Sequence, residues 1–141
     1  MPKNRVVFLN SIFPVLSETF LFSQYTKMQD AGMDMVLVSS HKPGADQVHP
    51  GMEAVQKEVD YLCDATMTDA LKAHAHCLFK HPLGYLRAMT QIFSVEEKTT
   101  TTLKHITGAA LTLQRYCSGD QPIWIHSHFT YGATSIALWL K

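Results

Sequence analysis

Compact apolar runs alternate with stretches of helical spacing along the first forty residues. Arg5 to Asn10 (RVVFLN) is continuously apolar and rich in β-branched side chains, the pattern of a strand buried on both faces of a parallel sheet. In the following SIFPVL, Pro14 forces an extended turn. Ser17 stands where a helix N-cap belongs, and Glu18 is favourably placed against the helix dipole. Leu21, Tyr25 and Met28 then recur at helical spacing, and Gly32 supplies a left-handed stop. Met33 to Ser40 (MDMVLVSS) is a second buried strand by the same criteria. Strand, helix, strand is a βαβ unit, so the two strands are expected parallel in one sheet, with a right-handed connection.

His41 to Gly51 holds two prolines and two glycines and reads as a loop, and Lys57 to Leu62 (KEVDYL) as a third strand. Thr68 is placed to cap a helix through Lys80, Pro82 to open another through Phe93, and Ser94 with Glu97 to form a capping box. The helix starting there should carry Leu103, Ile106, Ala110 and Leu113 inward and end near Gly119, with Thr99 to Thr102 as a solvated face. Pro122 to His126 (PIWIH) is a fourth strand. Thr130 to Lys141 begins a helix with Ala133, Ile136, Ala137 and Leu140 on one side. The whole pattern predicts an α/β class, a parallel sheet flanked by helices in a single domain over residues 1–141. A parallel sheet needs both faces covered, so an apolar helix still running at Lys141 suggests part of a longer polypeptide.

Composition narrows the function. Charged residues make up 17% of the chain, below the roughly 25% usual in soluble domains, which suggests much buried surface or a partner. Twelve basic residues balance twelve acidic ones, so there is no electrostatic footprint for nucleic acid. Cys63, Cys77 and Cys117 lie far apart and form no C-x-x-C pair, which argues against a disulfide framework or zinc knuckle and fits a reducing cytoplasm. None of them has an adjacent base to make it a nucleophile. Asn10, Ser11 and Pro14 interrupt the N-terminal apolar run, so it is a poor secretory signal, and no segment approaches the ~18 apolar residues of a membrane span.

Candidate chemistry concentrates in PIWIHSHFTYG, Pro122 to Gly132. Residues two apart in a strand share a side, so His126 and His128 could face one ligand. A metal site needs further ligands, and no nearby carboxylate or cysteine supplies them, so no metal is expected. The plainer reading has the pair capping a buried strand through hydrogen bonds to nearby backbone. In open α/β sheets, however, ligands bind just outside the carboxyl ends of the strands, where this pair emerges. The same rule brings in Ser17, Glu18 and Thr19, at a helix start suited to an anionic or hydroxyl-rich ligand, so the two loops are expected to share one rim. That first loop carries neither G-x-G-x-x-G nor G-x-x-x-x-G-K-[ST], which weakens dehydrogenase and NTPase readings. His74 and His76 diverge on a helix and, with His41, His49, His81 and His105, are expected at the surface.

FPVLSETFLFSQYTKMQDAGMDMVLVSS, Phe13 to Ser40, together with WIHSHFTYGATSIALWL, Trp124 to Leu140, resembles the N-terminal half of the family-four retaining glycosyltransferases. The likeness is closest to those of bacterial exopolysaccharide and colanic-acid-type synthesis, which pair an FP-x-x-SETF opening with a later H-x-HF segment. The resemblance implies a GT-B architecture, in which a Rossmann-like N-terminal domain binds the acceptor and a C-terminal domain, absent from these residues, holds the donor. It implies hexose transfer from a nucleotide-sugar to a saccharide or lipid-linked acceptor, retaining and without metal or other cofactor. By position, Ser17, Glu18 and Thr19 fall at the floor of the cleft as substrate-binding residues, and His126 and His128 beside the acceptor and the reacting sugar as the catalytic pair. His126, nearest the strand end, is expected to matter more. Without a donor domain, the resemblance implies an inactive fragment, cytoplasmic and peripherally associated with the inner face of the membrane. A non-enzymatic Rossmann-like interaction module, pairing through its apolar edge and final helix, is the alternative; a small metal-dependent hydrolase using His126 and His128 is a third reading.

Overall fold

A computed structural model describes residues 5–48, 50–91, 99–117, 119, 122–128 and 132–140. Four strands, β1 (Arg5–Ile12), β2 (Asp34–His41), β3 (Asp60–Tyr61) and β4 (Ile123–Ser127), form one sheet in the order β3-β2-β1-β4. Every pairing is parallel: Phe8 lies opposite Leu37 on one side and His126 on the other, and Val38 lies opposite Asp60. The helices are α1 (Thr19–Asp30), the short α2 (Glu53–Gln56), α3 (Met67–Lys80), α4 (Pro82–Gln91), α5 (Thr99–Tyr116) and α6 (Gly132–Leu138). The chain is a Rossmann-like α/β unit, a parallel sheet with helices on both faces.

The central position of β1 follows from its composition. Val7, Phe8 and Leu9 are fully buried, which only a strand covered on both sides achieves. Alternation then sorts the core into two layers. Val7, Leu9 and Val38 pack with Ala73 and Cys77 of α3, Ala109 and Ala110 of α5 and Ile136 of α6. Phe8 and Leu37 point the other way, to Phe13, Leu21 and Tyr25. Gly108 permits the close approach on the first face, since a Cβ there would lie 2.9 Å from the Ile136 side chain. At the far end of α5, Arg115 and Tyr116 both bond Asp60, at 2.7 Å and 2.6 Å, fastening that helix to β3.

Several local expectations are corrected. Ser17 does not cap α1; it sits in a 3-10 turn, Leu16–Glu18, and no side chain caps that helix. Thr66 rather than Thr68 caps α3, because Asp69 completes a reciprocal capping box with it. Ile106 and Ala110 of α5 are buried as expected and Leu113 packs against the same core, but Leu103 is exposed and Thr102 is buried, so the threonine run is only partly solvated. Ala109 and Ala110 belong to the core cluster on this face of the sheet. His74 is half-buried, its ring held between Thr107 (3.0 Å) and Tyr85 (3.2 Å). Gly32, with φ of 80°, provides the left-handed stop. Phe93 and the Ser94–Glu97 box lie outside the described residues, as does His49.

Candidate functional site

The carboxyl ends of β1 and β4 are neighbours, so the loops leaving them share one rim. On β1, Ser11 turns toward α6, where its hydroxyl accepts from the Ala133 N–H at 3.2 Å, while Asn10 turns toward the α1 side. The chain then passes the buried Phe13, whose peptide to Pro14 is cis and whose carbonyl accepts from the Tyr61 hydroxyl at 3.0 Å. The next turn is latched from outside: the Leu16 N–H donates to the Gln47 carbonyl at 2.8 Å, and the Gln47 side chain accepts from the Gly44 N–H at 2.9 Å. A pocket of about 490 Å³ results, with Asn10, Ser17, Glu18, Asp46, Gln47 and His128 in its wall. Burial pushes the Glu18 carboxyl above its ordinary 4.5. Asn10 is only 3% exposed, and its amide nitrogen has no hydrogen-bond partner among the described residues. A buried donor left unmatched costs free energy, so the wall of this pocket holds an unmet demand for an acceptor.

The two imidazoles lie on the same side of β4 and rest on Phe8. The Phe8 and His126 rings stack at 5.1 Å between centroids with 24° between planes, and His128 lies 5.6 Å from Phe8. Gln24, one turn into α1, joins them. Its carbonyl oxygen is 2.7 Å from His128 Nε2, its amide nitrogen 3.2 Å from His126 Nε2, and the two Nε2 atoms are 2.9 Å apart. Because an amide oxygen only accepts and an amide nitrogen only donates, His128 carries its proton on Nε2 and His126 keeps a lone pair there. The His128 N–H is thereby shared between Gln24 and His126. Burial first, and the His126 charge second, lower the His128 pKa from 6.5, so its ring is held neutral.

This sets a pH dependence. A histidine with a folded pKa below its unfolded value contributes nothing unfavourable above the unfolded value, and costs stability once the unfolded chain protonates while the folded one does not. His128 and the half-buried His74 are both shifted down by burial from 6.5. The thermal midpoint is therefore expected to fall as pH is lowered through about 6.5, and to recover in a His74→Gln, His128→Gln double variant. Midpoints by circular dichroism between pH 5 and 8 check it.

The structure brings Ser17, Glu18 and His128 into one pocket. Thr19 opens α1 beside it, exposed, without lining it. His126 sits a step back within β4, against Phe8 and next to a separate hollow with Val6 and Trp124. His128 lines this pocket, and His126, the one favoured by strand position, lines the other hollow. No family model, curated protein or solved structure matches the chain. Among the described residues no cluster of three or more His, Cys, Asp or Glu could hold a metal, and no helix is long and apolar enough to cross a membrane.

Sequence reasoning missed Gln24, Asn10 and Gln47. Gln24 left a faint signal, a polar residue immediately before the inward-facing Tyr25 and three after Leu21. Asn10 ends an apolar strand and reads as strand punctuation, and Gln47 sits in a loop whose path no periodicity predicts.

Proposed function

We propose that the chain forms the acceptor-binding side of a retaining hexosyltransferase of GT-B type that uses a nucleotide-sugar donor and a saccharide or lipid-linked acceptor in polysaccharide synthesis. The observation that carries this reading is the convergence of Ser17, Glu18 and His128 in one pocket, which also has Ile12, Val15 and Leu16 in its wall, at the carboxyl ends of adjacent parallel strands. Such a pocket suits a sugar. Ser17, Gln47 and Asn10 can exchange hydrogen bonds with hydroxyls, and the Glu18 carboxylate, once ionised, accepts from one or two of them. His128 contacts the reacting sugar, while His126, through Gln24, fixes the tautomer and orientation of His128. His126 is on this account a positioning residue. The reading assigns saccharide binding to these residues, and stabilisation of the donor diphosphate to the second domain of the GT-B type.

The test is a transfer assay with labelled UDP- and GDP-hexoses and saccharide or lipid-linked acceptors. One sample is residues 1–141; the other is the protein from its complete reading frame. The reading expects metal-independent, configuration-retaining transfer by the second sample alone. Full-rate transfer by residues 1–141 would contradict it. The competing reading, a non-enzymatic interaction module, draws on Trp124, 63% exposed on the edge strand β4. A discrete dimer in sedimentation that Trp124→Ser dissolves would favour it.

A further inference from the structure

The pocket beside the Ser17 turn carries more than groups that suit hydroxyls. Asn10 stands in its wall at the end of β1, 3% exposed, with Nδ2 unmatched among the described residues. A buried donor of this kind demands an acceptor. A carbonyl oxygen answers it without further cost, whereas a hydroxyl brings a proton that needs an acceptor in turn. The same wall holds bare apolar surface: Ile12 is 39% and Leu16 50% exposed, and neither belongs to the two core layers. Glu18 and Asp46 stand in it too, with no lysine or arginine among the described residues that line it.

These three features discriminate among the substituents a sugar can carry. The carboxylate of a uronic acid would accept from Asn10 but would face Glu18 and Asp46 with no cation to offset them. The methyl of a deoxy sugar would cover Ile12 and Leu16 and leave Asn10 unmatched. A protonated amine would meet the carboxylates, yet it has only donors to set against the Asn10 donor. An acetamido group supplies a carbonyl oxygen, an N–H for Glu18 or Asp46, and a methyl that removes apolar surface from water. We propose that the pocket seats an N-acetylhexosamine, its acetamido carbonyl on Asn10 Nδ2 and its methyl against Ile12 and Leu16. The acceptor in the proposed transfer then presents that residue. This inference rests on the saccharide reading of the same pocket and adds the substituent that the pocket selects.

Methyl glycosides of N-acetylglucosamine, N-acetylgalactosamine, glucose, galactose, glucosamine and glucuronic acid, titrated near neutral pH and followed by amide chemical shifts, test it. In the gluco or the galacto series the N-acetyl form should bind about tenfold more tightly than the parent hexoside, the combined scale of one hydrogen bond and one covered methyl. The glucuronide should bind most weakly. Asn10→Ala should bring the N-acetyl preference down to about threefold or less. An Ile12→Ser, Leu16→Ser variant should reduce it as well, and both positions are exposed, so the fold should tolerate the change. A variant that merely loosened the fold would weaken every glycoside alike and keep the ratio. Equal binding of N-acetyl and parent forms, or a ratio that neither variant moves, overturns the inference and leaves the saccharide reading standing. Tightest binding of the glucosaminide or the glucuronide does the same. Binding of no glycoside at all overturns both.

Discussion

Phe8→Ala is expected to destabilise the protein by about 3–5 kcal/mol, the cost of emptying a large aromatic site in a core that collapses only partly. Phe8 is fully buried in the central strand and touches Phe13 edge-on at 6.4 Å, Tyr25 at 6.4 Å and both imidazoles. Its loss therefore removes the α1-side core and the platform for His126 together. Urea unfolding by tryptophan fluorescence should show the midpoint shift with little change in slope. Phe8→Leu, which keeps most of the volume, should recover much of the stability and little of the imidazole order. That order can be followed in the histidine ring proton signals.

On the proposed sugar-transfer reading, His128→Ala is expected to lower kcat/KM on the order of 100-fold, the scale of a lost group that orients a reacting centre. The fold should survive, because the ring is only partly buried at the rim. Gln24→Ala and His126→Ala should reproduce a smaller part of the loss, roughly tenfold each, since both act through His128. Their effects should not add. A Gln24→Ala, His126→Ala pair that cost the product of the single losses would show that the network does not act as a unit.

How much of this was legible depends on range. The βαβ opening and the fourth strand show in the chain because their signals are local: apolar β-branched runs in RVVFLN and PIWIH, and a left-handed glycine at Gly32. Placing β4 beside β1 needs 118 residues of separation to be closed in space, from Arg5 to Ile123, and only the strand-end rule anticipated that the two loops would meet. Cap positions were misread where a partner decided them. Thr66 beats Thr68 because Asp69 lies three positions after it, and Ser17 falls inside a 3-10 turn whose first N–H, that of Leu16, donates to the Gln47 carbonyl. On α5 the helical spacing placed Ile106, Ala110 and Leu113 against the core, and failed only in the first turn, where Thr102 is buried and Leu103 exposed. Gln24 left only a faint trace. A lone amide on a helix acquires meaning only when two imidazoles from a distant strand are set against it.

The pocket between the Ser17 turn and His128 is the claim on which the functional account turns, and saccharide titration watched by NMR reaches it directly. Backbone amide signals of Ser17 to Thr19 and ring signals of His126 and His128 are followed in one experiment. The account predicts that both sets move together with a single dissociation constant, and that Glu18→Gln weakens it about tenfold. Movement of one set without the other, or of neither at any accessible saccharide concentration, would contradict it.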